Sequence, residues 1–461
     1  MLDVTLLSRA DAEALAKRVL AFSTANEARV NIVSGWSGNT RFAGNEITTG
    51  GGTTDTTVSI TSAFGTRSAS AETNVLDDAS LKRTVELSER LARLAPEDPE
   101  YLPMLGPQQY VGVEGYAAGT AELTPEARAL AVQKVFDGTK AANEDLFVAG
   151  FLEASAGVRQ AVATSKGLFA YFPGTTVDLS VTARTRDGTG SGFASSGAAD
   201  WRALDPAALG RRAAEKGVAS RQPVAIEPGQ YTVVLEPLAV AGVLPLLMGS
   251  FSARSSEEGR SAFSAKGGGT KLGQKIADER VTLLSDPAHA ELLAQPFDRE
   301  GVPAARQLWI ENGILKNLNY SRFWAQKRGV QPTAAGSGGF GGGGGGGGGA
   351  PGGGLMLMGG TKSTDELVAG VQRGVLVTRF WYIRFLDQRT VMLTGLTRDG
   401  TFLIENGKVT RSIKNLRWNE SPLFMLNKLD ELGRAERVSS GLVVPSLRVR
   451  DWNFTSLSDA V

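Results

Sequence analysis

Apolar and polar positions follow two rhythms along this chain, and the rhythms divide it. After Ser8, a side chain able to accept from a free backbone N–H, Ala12, Leu15, Val19 and Phe22 recur at helical spacing, with Asp11 three residues beyond the serine. The spacing predicts a helix opening at Ser8. The period then drops to two. Val30 and Ile32, and later Val58 and Ile60, alternate with polar neighbours, and Gly44-Asn45 and Phe64-Gly65 mark turns. Asp78 is placed to cap a second helix with Leu81, Val85 and Leu91 inward and Pro96 beyond its end. Helix, strands and helix make a compact α+β unit over residues 1–95.

Pro96, Pro99, Pro103 and Pro107 mark a linker over 96–123. Thr124-Pro125 starts a helix, because proline at the first helical position loses no needed donor. That helix is expected to run to about Asn143. Strand-like segments follow at 145–155, 158–165, 168–172 and 177–186, with Lys166-Gly167 as a turn, and Asp205-Pro206 opens a further helix. Pro228-Gly229 then breaks the chain. A boundary there gives a middle α+β domain over 124–227 and a β-rich C-terminal domain over 228–461. Within the latter, Ile310-Glu311-Asn312-Gly313 and Ile404-Glu405-Asn406-Gly407 each predict a type I′ hairpin, because Asn-Gly tolerates positive φ at both central positions. Residues 336–354 are almost all glycine and are expected to form a mobile surface loop. A phosphate-cradling loop would need a Lys-Ser/Thr pair at its end, and Lys362-Ser363 stands too far off.

Composition narrows the chemistry. The 461 residues include one histidine, His289, and no cysteine. A zinc site of His and Cys needs three or four such ligands, and a thiol nucleophile is impossible. Lys and Arg total 49 against 48 Asp and Glu, a net charge of +1, so no basic footprint for nucleic acid exists. The most apolar stretch, 237–248, is short for a bilayer and holds two prolines. The first residues lack the pattern of a secretory signal, and the absence of cysteine fits a reducing compartment. A cytoplasmic protein with no membrane partner is the expectation.

Few residues suggest chemistry of their own. His289 follows Ser285-Asp286-Pro287-Ala288, expected as a loop leading into a short helix, where it is a general base or a capping side chain. Asp298 and Glu300 are an acid/base pair or a turn with local ion pairing. Ser250, Ser252, Ser255 and Ser256 cluster after the apolar stretch, without the Gly-x-Ser-x-Gly elbow of a nucleophile. Phe380-Trp381-Tyr382 lies in a strand-like context that suits core packing or an interface better than base stacking.

Several segments together resemble the TldD/PmbA family, sometimes labelled modulators of DNA gyrase. They are Thr40-Arg41-Phe42-Ala43-Gly44-Asn45-Glu46-Ile47, the run from Thr164 through Lys166-Gly167 to Phe172, and Pro228-Gly229-Gln230-Tyr231-Thr232-Val233-Val234-Leu235-Glu236-Pro237. Phe297-Asp298-Arg299-Glu300-Gly301, both Ile-Glu-Asn-Gly hairpins and Arg373-Gly374-Val375-Leu376-Val377 continue the series in order. The resemblance implies an α+β N-terminal half, a β-rich C-terminal domain and an oligomer. It also implies that active members carry a His-Glu-x-x-x-His helix, in which two imidazoles bind zinc and the glutamate activates the bound water.

This chain departs from that pattern. Aligned after Leu235-Glu236, the motif positions hold Pro237, Leu238 and Gly242, none able to bind zinc or move a proton. The resemblance therefore implies no catalytic residue, metal or cofactor in this chain. Zinc is expected only in a partner, a TldD-like subunit bearing His-Glu-x-x-x-His, and unfolded peptide is the expected substrate of the pair. Two alternatives stay open: a homo-oligomeric scaffold that binds peptide, and a metal-independent hydrolase using a serine or Asp298 and Glu300.

Overall fold

The computed structural model describes residues 6–142, 145–334 and 354–458. Strands β1 (Glu27–Ala43), β2 (Glu46–Phe64), β3 (Arg67–Thr73), β4 (Leu146–Thr164), β5 (Phe169–Thr185) and β6 (Ser191–Ala198) form one six-stranded antiparallel sheet in the order β3-β2-β1-β4-β5-β6. The central pairing is β1 with β4. The segments read separately as 1–95 and 124–227 thus share a single sheet, and 96–123 bridges its two halves.

Helices cover one face of this sheet. They are α1 (Arg9–Ala21), α2 (Asp78–Leu94), the single turn α3 (Ala118–Ala121), α4 (Pro125–Lys140) and α5 (Pro206–Ala219). Ser8 caps α1 by accepting from Asp11 N at 3.1 Å. The cap of α2 is Asp77, not Asp78. Its carboxylate lies three residues ahead of Ser80 and accepts that N–H at 2.9 Å, while Asp78 is already helical. Leu81, Val85, Ser88 and Ala92 form the buried stripe of α2. Leu91 lies off that stripe and is 40% exposed, contrary to the expectation from spacing. Thr124 and Asp205 cap α4 and α5, each followed by proline. The α4 helix ends at Lys140, and Asn143 lies outside the described residues. Glycines let α4 and α5 touch, since a Cβ on Gly138 would meet Ala207 O at 2.0 Å.

The strands are longer than their apolar stretches. The expected breaks within 155–158 and 172–177 do not exist, because β4 and β5 run through them. A bulge between Val158 and Gln160 absorbs the irregular Gly157 and Pro173 instead. Strand β2 has an open flank. It pairs with β3 only over Val58 to Phe64, and among the described residues no strand pairs with the outer edge of 46–57.

The C-terminal sheet has eleven strands. They are β7 (Gly229–Leu235), β8 (Leu283–Ser285), β9 (Gln307–Glu311), β10 (Ile314–Leu315), β11 (Leu355–Leu357), β12 (Arg373–Asp387), β13 (Met392–Glu405), β14 (Lys408–Ser412), β15 (Leu416–Glu420), β16 (Leu429–Ser439) and β17 (Leu442–Leu457). Strand β7 runs parallel to β12 and antiparallel to β17. Because β12, β13, β15 and β17 pair in succession, the sheet closes into a ring at β7. Phe380, Trp418 and Trp452 pack together in the adjoining core. Both Asn-Gly turns form as expected, with φ of 49° and 76° at Asn312 and Gly313, and 52° and 76° at Asn406 and Gly407. The expected loop at 336–354 lies, except for Gly354, outside the described residues.

Candidate functional site

Strand β7 leads directly into helix α6 (Pro237–Val243), where the metal motif is expected by resemblance. The turn is firmly held. Glu236 N donates to Val377 O at 3.0 Å, Pro237 occupies the first helical position, and Ala239, Val240 and Val243 anchor the helix in the core. Leu238 and Gly242, four residues apart, share a helix face and are half-buried. A Cβ at Gly242 would lie 3.4 Å from Ile383 Cδ1 and 4.0 Å from Phe380 Cβ. The scaffold is therefore present, while Pro237, Leu238 and Gly242 offer no donor atom. The next segment, Leu244–Phe251, buries Leu244, Leu247, Met248 and Phe251 and adds no ligand.

Zinc of the His-Glu-x-x-x-His kind does not fit these residues in any register, because it needs two imidazoles and His289 is the chain's only histidine. His289 sits in turns rather than ahead of a helix, and its Nδ1 accepts from Glu291 N at 3.2 Å. Among the described residues, no group of three or more His, Asp or Glu side chains is arranged to hold a metal.

The other candidates have structural roles. Asp298 is buried and accepts from Glu300 N and Val302 N at 2.8 and 2.9 Å, which closes a turn. Glu300 pairs with Arg322 at 3.0 Å. Ser252 accepts from Ser255 N, and the Ser256 hydroxyl donates to Ser252 O at 2.8 Å. Ser250 O accepts from Ser261 at 2.5 Å. Ser363 caps a short helix through a reciprocal bond with Glu366. Phe380 is core, whereas Trp381 and Tyr382 are 44% and 62% exposed.

The residues that join the two sheets gave little sequence signal. Lys216 of α5 pairs with Glu236 at the head of α6. Asp399 is 2% exposed, accepts from Ser191 of β6 at 2.5 Å, and pairs with Arg379. Ser191, Ser220, Asp399 and Thr401 line a cavity of about 140 Å³ at this junction.

On the sheet face away from the helices, where β16 approaches, Asp178 lies across from Gly197, whose missing side chain makes room for the carboxylate. Crowding there disfavours the charged form, Glu153 adds like-charge repulsion, and Arg159 offsets part of it. The Asp178 carboxyl is pushed up from 3.8 to about 6. Because the folded value is the higher one, its contribution to stability is complete below pH 3.8 and is lost as pH rises through about 6. Asp178→Asn should therefore match the wild type in acid and be more stable at neutral pH, with solvent contact limiting the gain. Denaturant midpoints of the two proteins across that window test this. A gap that does not widen with pH would sink it.

The chain matches the PmbA/TldA metallopeptidase C-terminal domain over residues 228–456 and the central domain of the same proteins over 120–221. Together these matches cover more than two thirds of the sequence. Such a fold defines a metallopeptidase-type scaffold. The chain belongs to the TldD/PmbA family. A metalloprotease of Methanothermobacter thermautotrophicus is 28% identical over 239 residues, half of this chain and 49% of that protein. A metalloprotease TldD homolog of Buchnera aphidicola is 25% identical over 37% of this chain and 35% of its own length. The chain thus aligns with about half or less of these curated relatives. TldE from Thermococcus kodakarensis shares the fold with a TM-score of 0.83 at 20% identity, covering 96% of this chain and 99% of its own. A Thermotoga maritima protein described as a candidate modulator of a DNA gyrase does so with 0.82 at 22%, covering 96% and 100%.

Proposed function

We propose that this chain is the non-catalytic subunit of a TldD/PmbA-type heteromeric metalloprotease. It helps form the chamber that holds unfolded peptide, and a zinc-bearing TldD-like subunit with the His-Glu-x-x-x-His motif performs the cleavage. One observation carries the reading: the β7–α6 scaffold is complete, yet Pro237, Leu238 and Gly242 stand at the motif positions and the chain has a single histidine. A fold kept whole around an apolar centre suits shaping and holding rather than bond cleavage. The structural likeness to TldE agrees with it. Zinc belongs to the partner in this reading, and the lack of cysteine fits a cytoplasmic setting.

The test is reconstitution. The purified chain alone is expected to leave an unfolded polypeptide intact. Mixed with a co-purified relative bearing His-Glu-x-x-x-His, it should co-elute as a complex, and cleavage should stop when a chelator is added. Chelator-insensitive cleavage by the chain alone would refute the proposal. Recovery of the chain only with itself would favour the homo-oligomeric scaffold.

A further inference from the structure

Arg128 of α4 is 5% exposed, as buried as a core side chain. Its Nη1 donates to Leu123 O at 3.2 Å. Its Nε has no partner, and among the described residues no carboxylate forms an ion pair with it. A buried cation left without an ion-pair partner is costly. Burial holds the guanidinium below its usual range, with Glu126 opposing that shift.

A groove of about 810 Å³ meets Arg128. One wall is the ribbon of β1 and β2, and the other runs from the end of α3 into α4. The Trp36 indole fixes the walls together by donating to Ala121 O at 3.0 Å. Gly38 leaves room for the guanidinium in this position, since a Cβ there would stand 2.7 Å from Arg128 Nη1. Gly50 and its neighbours at 51 and 52 leave one stretch of the ribbon wall, between Ile47 and Thr53, without side chains. The rim carries the exposed Glu122 and Glu126. Beside the groove lies the unpaired outer edge of β2 over 46–57.

From this geometry we infer that the groove receives the carboxy-terminal end of an extended peptide, with the terminal carboxylate on Arg128 and a basic side chain at the glutamate rim. A carboxylate supplies the missing counter-charge to the guanidinium in a short, charge-assisted bond. Main chain suits the glycine stretch of the wall, and the free strand edge offers hydrogen bonds to the rest of the peptide. The choice of a peptide over a smaller carboxylate rests on the peptide-holding role proposed above, and the anion site does not.

Fluorescence anisotropy on the full chain without any partner tests this. The probe is a short amino-terminally labelled peptide with a penultimate lysine, made with a free carboxylate and as the carboxamide. The acid should bind about tenfold or more tightly than the amide. Arg128→Gln should erase that difference. Gly50→Leu should weaken both forms, and it suits the fold because the nearest atom to a Cβ there is 3.6 Å away. Replacing the penultimate lysine by glutamate should weaken binding further. Equal affinity for acid and amide on the wild type would overturn the inference, even if Arg128→Gln fails to fold. Displacement of the probe by inorganic phosphate at matching concentration would overturn the peptide assignment. Because no partner is present, either result is distinct from failure of the subunit reading.

Discussion

Replacing Asp399 with alanine is expected to cost the chain about 3–5 kcal/mol of folding stability. The carboxylate is 2% exposed and faces Arg379, whose Nε donates to it at 2.6 Å. Arg379 is itself packed on the Phe193 ring of β6, 3.7 Å from the centroid, so it cannot easily turn to water. Without Asp399 a nearly buried cation loses its counter-charge, and Ser191 loses its acceptor across the junction between the sheets. Asp399 also sits at φ 55°, where alanine adds strain. Asp399→Asn separates these causes, since asparagine tolerates that backbone and can keep the bond to Ser191 while removing the charge. It should fall between wild type and alanine in urea unfolding. A loss below about 1 kcal/mol for alanine would show the junction to be held by packing alone.

Trp418→Ala is expected to be of similar size, about 3–5 kcal/mol, for a different reason. The indole ring lies 4.6 Å from Phe380 and 5.4 Å from Trp452, and Phe380 stacks on Trp452 at 5.2 Å with planes 8° apart. Gly395 gives the ring its seat, since a Cβ there would come within 2.5 Å of it. Neither Trp418 Nε1 nor Trp452 Nε1 has a hydrogen-bond partner, so the loss is one of volume and contact rather than of a bond. Trp418→Phe should accordingly recover much of the stability. Equilibrium unfolding with near-ultraviolet circular dichroism reads both variants. Equal losses for Phe and Ala would mean that the indole is engaged in a polar contact after all.

Sequence patterning reveals elements where one face is apolar and ends are chemically marked. Ser8, Thr124-Pro125, Asp205-Pro206 and both Asn-Gly turns are such marks, because each satisfies a specific backbone requirement. It failed where strands continue through polar or glycine-rich sequence. In β1 only the half around Val30 and Ile32 alternates clearly, yet pairing extends to Ala43. The hydrogen bonds come from β2 and β4, which a local window does not see. Asp77 and Asp78 are indistinguishable as caps until the backbone shows which one remains extended.

The site divides along the same line. The absence of ligands at Pro237, Leu238 and Gly242 is a matter of residue type and can be read directly. Arg128 and Asp399 are unremarkable as letters. Their character comes from burial and from neighbours far along the chain, such as Gly38 against Arg128 and Ser191 against Asp399. The one usable hint was the glycine run at 50–52 inside an otherwise Thr-rich strand, which leaves a short stretch of backbone open to close approach.

The ring closed at β7 has a bearing on how the chain is made. Every partner of β1–β6 has been synthesised once residue 198 is reached, so the first sheet can fold while the ribosome is still working. Strand β7 comes next, but it must wait for β12 beginning at Arg373 and for β17 beginning at Leu442. Between those moments the chain holds an apolar strand and an apolar α6 with no place to bury them. Such late, distant pairing is slow, and the nascent protein should depend on chaperone cover for its second half far more than for its first.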